Sequence, residues 1–297
     1  MKMLKIGFFG DGIWAENSIA LFLNNSDISI RFICIRYNTN NEVLRAYAKN
    51  LGIECFCHEN VNSEEFQKKI SHIKCDLYVS MSFDQIFKKR ILSLPSLGII
   101  NCHAGNLPFY RGRNILNWVL INDEKEFGIT VHFVDEGIDT GDIIVQEKFP
   151  INDHDTYKTL LELAYENCPL LLLKALKLFK KDKPRTIKQK TISEFGMYCS
   201  KRLEGDEVIN WNSTSREIFN FIRALTYPGP CARSFIGGIE IKLIASEEIN
   251  GAKNYIDFPG VILEVKESYL IVKTLDTYIK IIKWQTGAKL KIGERLS

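Results

Sequence analysis

An amide and an imidazole end one predicted strand of this sequence, and carboxylates follow the end of another. Asn101 and His103 close the first strand, and Asp135 and Asp139 follow the second. A positioned amide donates to a developing oxyanion, an imidazole moves a proton near neutral pH, and a carboxylate orients and charges the imidazole. These residue types predict acyl-transfer chemistry. His132 lies inside the alternating second strand, so we interpret it as structural.

The elements that must position these side chains follow from the pattern of apolar residues. Strand-like and helix-like segments alternate five times between residues 4 and 102, which is typical of a doubly wound, mainly parallel α/β sheet. Such sheets bind ligands at the carboxyl ends of their strands, where Asn101 and His103 are expected. Three predictions are specific enough to check: a first helix with Leu21 and Leu23 on its inner face, a helix around Gln85–Leu94, and a long helix from Asp155 to about Lys181.

The character of the sequence changes after this region. We predict a catalytic domain at residues 1–183, a linker at 184–205 and a smaller, mostly β domain at 206–297, similar to an OB-like barrel. Short β-like runs separated by Gly and Pro support the last domain, and the first of them is Ser234–Ile244.

The composition excludes several classes of protein. The 297 residues carry a net charge of only +3, which does not by itself imply a nucleic-acid partner. The beginning of the sequence does not resemble a secretory signal, and no run is apolar enough for a bilayer, so a cytoplasmic protein with no membrane partner is expected. Eight cysteines are then expected as reduced thiols. Cys55-Phe-Cys57-His58 lacks standard zinc spacing, so no metal is predicted.

A glycine-rich turn follows the first strand. Gly10-Asp-Gly12-Ile-Trp14-Ala15 fits a loose dinucleotide fingerprint, but the second strand ends in Arg36 rather than an acidic residue. The alternatives are a plain strand-to-helix turn and a loop that lines a substrate cleft, with Trp14 partly exposed.

Two motifs taken together resemble the folate-dependent formyltransferases. They are Asn101-Cys-His103 followed by Leu-Pro-x-x-Arg-Gly, and Asp-x-Gly-Ile-Asp139-Thr-Gly-Asp further on. The resemblance implies a Rossmann-like domain that binds N10-formyltetrahydrofolate as formyl donor, with Asn101, His103 and Asp139 as catalytic residues. Asp206–Trp211 and Ile222-Arg223-Ala224 resemble the C-terminal domain shared by the tRNA and nucleotide-sugar branches. The purine branch lacks that domain and is disfavoured.

The same resemblance implies two sets of binding residues. The folate would lie between two loops, namely Met81, Ser82, Phe83, Asp84, Gln85 and Ile86, and Asp135, Glu136, Gly137 and Ile138. The acceptor would contact Gly10, Gly12, Trp14, Arg113, Asn114, Asn117 and Tyr227.

The acceptor is suggested by departures from the tRNA branch. Ala-Gly105-Asn106-Leu-Pro follows His103, where the methionyl-tRNA enzyme usually shows Ser-Leu-Leu-Pro, and Arg111-Gly-Arg113-Asn114-x-x-Asn117-Trp118 looks more like the sugar branch. The sequence therefore predicts formylation of a nucleotide-linked amino deoxysugar, for example dTDP-4-amino-4,6-dideoxyglucose, for surface polysaccharide such as lipopolysaccharide O-antigen. The alternative is methionyl-tRNA, the one case with a nucleic-acid partner. Enzymes of the sugar branch are often dimeric, so a homodimer is expected.

Overall fold

A computed structural model describes residues 3–179 and 183–297. Its strands are β1 (Leu4–Gly10), β2 (Ile28–Ile35), β3 (Glu54–Cys57), β4 (Leu77–Met81), β5 (Ile99–His103), β6 (Arg111–Gly112), β7 (Glu126–Phe133), β8 (Ile143–Pro150), β9 (Tyr198–Cys199), β10 (Ala232–Ile236), β11 (Ile239–Glu248), β12 (Ile262–Val265), β13 (Leu270–Lys273) and β14 (Tyr278–Thr286). Its helices are α1 (Gly12–Leu23), α2 (Glu42–Leu51), α3 (Glu64–Ser71), α4 (Lys89–Leu92), α5 (Ile115–Ile121), α6 (Tyr157–Leu178) and α7 (Ser215–Leu225), with a 3₁₀ turn at Gln189–Thr191.

The chain divides into two compact units. The first comprises Met1–Gly112, Phe127–Phe149 and Leu163–Cys199, and the second comprises Arg113–Glu126, Pro150–Glu162 and Ser200–Ser297. The domain boundaries predicted from the sequence stay predictions.

The first unit is built on a sheet with the strand order β3-β2-β1-β4-β5-β7-β8. The pairs from β3 to β5 are parallel, and β5 pairs with β7 in the antiparallel direction. The predicted doubly wound, mainly parallel sheet is therefore confirmed. The winding direction reverses between β1 and β4, and this reversal opens a crevice at the carboxyl ends of those strands.

The helices of this unit begin where side chains cap them. Asn41 accepts from the Leu44 N–H at the start of α2, and Ser63 accepts from the Phe66 N–H at the start of α3. The predicted inner face of α1 is wrong. Its buried residues are Ala15, Ser18, Ile19 and Phe22, while Leu23 is 43% exposed. Spacings of three and four residues from Ala15 define that face.

Two other helix predictions need correction. The predicted helix around Gln85–Leu94 is reduced to α4, because Phe87 is buried and the Gln85 side chain bonds the backbone at His58 and Val61. The long helix is present as α6, which ends at Leu178, and its predicted last turn lies partly outside the described residues. Within 3–179 and 183–297, no helix is long and apolar enough to cross a bilayer.

The second unit contains an antiparallel sheet with the order β10-β11-β14-β13-β12, so the mostly β prediction is confirmed. The β-like run predicted at Ser234–Ile244 is present as a hairpin: Gly237 and Gly238, both with positive φ, turn the chain between β10 and β11. Residues 293–297 close the sheet into a barrel. They exchange hydrogen bonds with Ile262 and Gly260 on one side and with Phe235 on the other.

Leu296 anchors this closing segment and provides a stability test. Its side chain is 1% exposed, whereas Ile292 nearby is 66% exposed. Leu296→Ala should lower the free energy of unfolding by about 2–5 kcal/mol, because it removes buried methyl groups and leaves a cavity. Ile292→Ala, the control, should change it by less than about 0.5 kcal/mol. Urea denaturation measures both, and equal values for the two variants would contradict the assignment of Leu296 as the anchor.

Candidate active site

The predicted catalytic side chains meet at the carboxyl end of β5. Asn101 pairs with His132 across the β5–β7 ladder, and His103 pairs with Thr130. Asp139 comes from the loop between β7 and β8, and its carboxylate lies within ion-pair distance of both histidines. The structure thus brings Asn101, His103 and Asp139 together and adds His132.

The imidazole of His103 has two distinct nitrogens. Nε2 lies 2.8 Å from the carbonyl oxygen of Tyr110. A carbonyl only accepts, so Nε2 carries a proton and donates it there. Nδ1 lies 3.6 Å from Oδ2 of Asp139. In the neutral ring Nδ1 is therefore the basic nitrogen, and the cation formed when it takes a proton faces a carboxylate.

A short path of backbone holds His103 in this position. A Cβ at Gly105 would lie 2.4 Å from His103 Nε2 and 2.5 Å from the Tyr110 oxygen, so only glycine fits. Thr130 donates to the Gly105 carbonyl at 2.6 Å, and the Gln146 amide donates to the Thr130 hydroxyl at 2.8 Å. The loop after β5 is thereby fixed to β7 and β8.

Asp139 is held as an anion. It adopts a φ of 53°, a left-handed conformation that Asp tolerates better than most residues. Its Oδ2 accepts from the Gly112 N–H at 2.9 Å, and its Oδ1 lies 3.4 Å from His132 Nε2. Burial alone would raise the pKa of Asp139, but His103, His132 and the Gly112 N–H lower it well below the usual range for Asp.

His132 is the site residue that the sequence interpretation missed. Its Nδ1 lies 2.7 Å from the carbonyl oxygen of Phe133 and donates to it, and its Nε2 lies 3.4 Å from Nδ2 of Asn101. When the ring is neutral, Nε2 accepts from the Asn101 amide and orients it; when the ring is protonated, Nε2 donates to Oδ1 of Asp139, and this charge lowers the pKa of that carboxyl. The available signal was register: cross-strand partners share one face of a sheet, so a histidine opposite Asn101 lies beside it.

The two predicted folate loops share one base. Phe83, from the first loop, and Val134, directly before the second, pack against the same hydrophobic cluster. Met81 is buried, Ser82 has a φ of 54°, and the Ser82 hydroxyl accepts from Arg36 at 2.8 Å. Asp84 and Ile86 are exposed.

The second predicted loop, Asp135–Ile138, is exposed and partly organised by its own first residue. Asp135 accepts from the Gly137 N–H at 3.0 Å and from the Thr140 hydroxyl. Glu136 and Ile138 are exposed. Asp135 thus has a structural role in the turn, and the predicted folate contacts of this loop remain predictions.

The predicted acceptor residues fall into both units. In the first unit, Gly10 ends β1, Gly12 begins α1 with a φ of 65°, and Trp14 packs edge-on against Tyr165, with ring centroids 4.7 Å apart.

The remaining four belong to the second unit. Arg113 and Tyr227 are exposed, and Asn114 is exposed while accepting from the Arg202 N–H at 3.0 Å. Asn117 is 4% exposed and donates to the Ala224 carbonyl at 2.6 Å, which is a structural role. Their acceptor contacts remain predictions.

The site offers a base, an oriented amide donor and a fixed carboxylate, which is the set of groups that acyl transfer requires. No cluster of three or more His, Cys, Asp or Glu residues with metal-binding geometry occurs in the described part of the chain.

Comparisons with known proteins agree with this chemistry. The formyl transferase family profile matches residues 4–176, and the profile of its C-terminal domain matches residues 204–295. The chain therefore belongs to the formyl transferase family, and the resemblance stated from the sequence is confirmed. It is an N-formyltransferase enzyme.

Individual relatives differ in the activity that their names state. Methionyl-tRNA formyltransferase of Fusobacterium nucleatum is 31% identical over 312 residues, covering 99% of this chain and 100% of the relative. The crystal structure of WlaRD, a sugar 3N-formyl transferase in the presence of dTDP and 5-N-formyl-THF, matches with a TM-score of 0.71 and 28% identity, covering 98% and 100%. The N-formyltransferase of Helicobacter canadensis, in complex with folinic acid and dTDP-3-aminofucose, matches with a TM-score of 0.70 and 26% identity, covering 95% and 100%.

Proposed function

We propose that this enzyme transfers a formyl group from N10-formyltetrahydrofolate to the amino group of a nucleotide-linked amino deoxysugar. The observation that carries the acceptor is the likeness along nearly the whole chain to two sugar N-formyltransferases, whose structures hold dTDP or a dTDP-sugar together with a formylated folate. Surface polysaccharide synthesis, O-antigen included, is the pathway we infer for the product.

The residues on the folate side fit a flat ring that carries polar edges. Ile86 on the first loop and Ile138 on the second are 56% and 49% exposed, and both loops rest on one hydrophobic cluster. Exposed apolar side chains such as these suit the face of an aromatic ring, and backbone polar groups of the same loops suit its edges. When bound, the folate supplies an activated formyl group at N10.

The chain's own residues would act on the amine and the formyl oxygen. The amine attacks the formyl carbon, so a bond from the amine nitrogen to this carbon forms and the bond to N10 breaks. Nδ1 of His103 takes the proton that the amine loses and returns it to N10 as that nitrogen leaves. Asp139 stabilises the imidazolium in the interval, since it lies 3.6 Å from Nδ1. Asn101, oriented by His132, donates to the oxygen where negative charge develops.

One local feature separates this chain from the usual pattern of the methionyl-tRNA branch. At position 105, where the methionyl-tRNA branch usually has a serine, a Cβ would come within 2.5 Å of the Tyr110 carbonyl oxygen. The loop that fixes His103 therefore follows a backbone path that the serine of the tRNA branch cannot adopt without rearrangement.

Methionyl-tRNA is the second candidate acceptor, and the full-length likeness to a methionyl-tRNA formyltransferase favours it. Binding tRNA depends largely on neutralising phosphates, and this chain has a net charge of only +3.

A two-acceptor assay tests the proposal. The enzyme is given N10-formyltetrahydrofolate with dTDP-4-amino-4,6-dideoxyglucose or dTDP-3-aminofucose, and separately with charged methionyl-tRNA. We expect formylated sugar by mass spectrometry, with a kcat/KM at least about 100-fold above that for the tRNA. Formylation of the tRNA alone would overturn the sugar assignment.

A further inference from the structure

Gln189 lies in the segment between the two family profiles, which end at residue 176 and begin again at 204. The sequence assigned this segment to a linker. In the structure Gln189 is 3% exposed and belongs to the first unit, together with Asp139. Buried polar groups are nearly always hydrogen-bonded, so the partners of this amide show which parts of the chain it connects.

The Gln189 nitrogen holds the loop that carries Asp139. Nε2 donates to the carbonyl oxygens of Asp139 and Gly141, each at 2.8 Å. These bonds use both N–H groups of the amide on the backbone of the loop that carries the carboxylate. Two further contacts fasten the same segment to the end of this loop: Ile187 pairs with Ile143, and Thr186 donates to Asp142 at 3.2 Å.

The Gln189 oxygen binds Arg111, the residue next to the glycine that donates to the Asp139 carboxylate. Oε1 accepts from Nε and Nη2 of Arg111, at 3.0 and 2.7 Å. The residue after Arg111 is Gly112, whose N–H donates to the Asp139 carboxylate. Arg111 is fixed further by the Tyr198 hydroxyl at 3.2 Å, and a Cβ at Gly196 would meet its guanidinium at 2.4 Å. This packing accounts for the glycine at position 196.

We propose that Gln189 is a positioning residue for formyl transfer, joining the backbone of Asp139 to the arm that supplies the Gly112 N–H. Only a side chain that both donates and accepts can make this link. The carboxylate then faces Nδ1 of His103 without having to reorganise during the reaction. The inference rests on the proposed catalytic role of Asp139 and is independent of which amine is the acceptor.

Gln189→Met removes both hydrogen-bonding functions at similar volume. We expect kcat to fall by roughly 10- to 100-fold, the usual effect of a catalytic group that is slightly misplaced. The KM for donor and acceptor should stay within about twofold, because no binding group is lost. Gln189→Glu keeps an acceptor for Arg111 and loses the donors to the two carbonyls, so it should not restore kcat. All variants are assayed with the acceptor that the wild type formylates.

A double-mutant cycle separates positioning from a general loss of structure. If Gln189 acts through Asp139, Gln189→Met should lower kcat by less than about threefold in an Asp139→Ala background. If Gln189→Met lowered kcat by the same factor in the wild-type and the Asp139→Ala enzyme, the proposal would be refuted. Asn25→Leu is the control, because the Asn25 amide is half-buried in the first unit and donates to the Leu21 carbonyl at the end of α1, without contact to a proposed site residue; its kcat should be that of the wild type.

The outcomes distinguish the role of Gln189 from the proposed catalytic role of Asp139. An inactive Asp139→Ala with a fully active Gln189→Met would remove the role of Gln189 and leave the proposed mechanism intact. A fully active Asp139→Ala would remove both.

Discussion

His103→Ala should lower kcat by roughly 10²- to 10⁴-fold, the range over which a positioned acid–base group contributes. Nδ1 of His103 is the nitrogen left free to take the proton, since Nε2 donates to the Tyr110 carbonyl. Steady-state formylation assays at saturating donor and acceptor measure the loss. Added imidazole should restore part of the activity, because it supplies the missing base without altering the fold.

Two histidines provide the comparison for this experiment. His72→Ala should keep the wild-type kcat, since His72 is exposed at the end of α3. His132 contacts both Asn101 and Asp139, so it is the competing candidate for the base. Full activity in His103→Ala, with loss and imidazole rescue in His132→Ala, would reverse the assignment.

Asp139→Asn should also lower kcat by roughly 10²- to 10⁴-fold, because the imidazolium of His103 loses the carboxylate that lies 3.6 Å from its Nδ1. The amide keeps the shape of the carboxylate, so binding of donor and acceptor should change little. Glu147→Gln is the control: Glu147 lies in β8 and pairs with Lys174 at 2.5 Å on the surface. An unchanged kcat in Asp139→Asn would exclude the carboxylate from the reaction.

The pH dependence of stability supplies a second readout for Asp139. Its pKa is lowered in the fold, whereas an unfolded Asp titrates near about 3.9. Its ionised form therefore stabilises the protein above that pH, and the contribution disappears as the pH falls through the folded pKa. Urea denaturation should show wild type losing more stability than Asp139→Asn on acidification. An equal loss in both proteins would contradict the favourable ionisation of Asp139.

The parts of the fold that follow local rules could be predicted from the sequence. Asn and Ser are residue types that favour helix N-caps, and Asn41 and Ser63 cap α2 and α3; apolar runs such as Leu4–Gly10 form strands buried on both faces. The grouping of Asn101, His103 and Asp139 was also predictable, because their motifs are short and specific, and their catalytic roles stay a proposal. The run Ser234–Ile244 was predicted as β-like, but its division into a hairpin at Gly237-Gly238 was not predicted.

What could not be predicted depends on contacts between distant parts of the chain. His132 alternates in β7 as an ordinary core residue would, and only its pairing with β5 places it beside Asn101. Gln189 lies among basic and polar residues, a composition typical of a linker. The positioning role proposed for Gln189 follows from its contacts with Arg111 and Asp139, which lie 78 and 50 residues away in the sequence. Local composition shows neither the cross-strand partner of His132 nor the distant hydrogen-bond partners of Gln189.

The antiparallel pairing of β5 with β7 also sets which changes the gene can tolerate. Successive side chains of a strand point to opposite faces, so deleting one codon within β7 before His132 would turn this histidine away from Asn101. The same deletion in the exposed turn at Asp135–Ile138 would leave the pairing of β5 and β7 intact. Length variation among active relatives should therefore be confined to turns that carry no site residue, and the strands should vary by substitution alone.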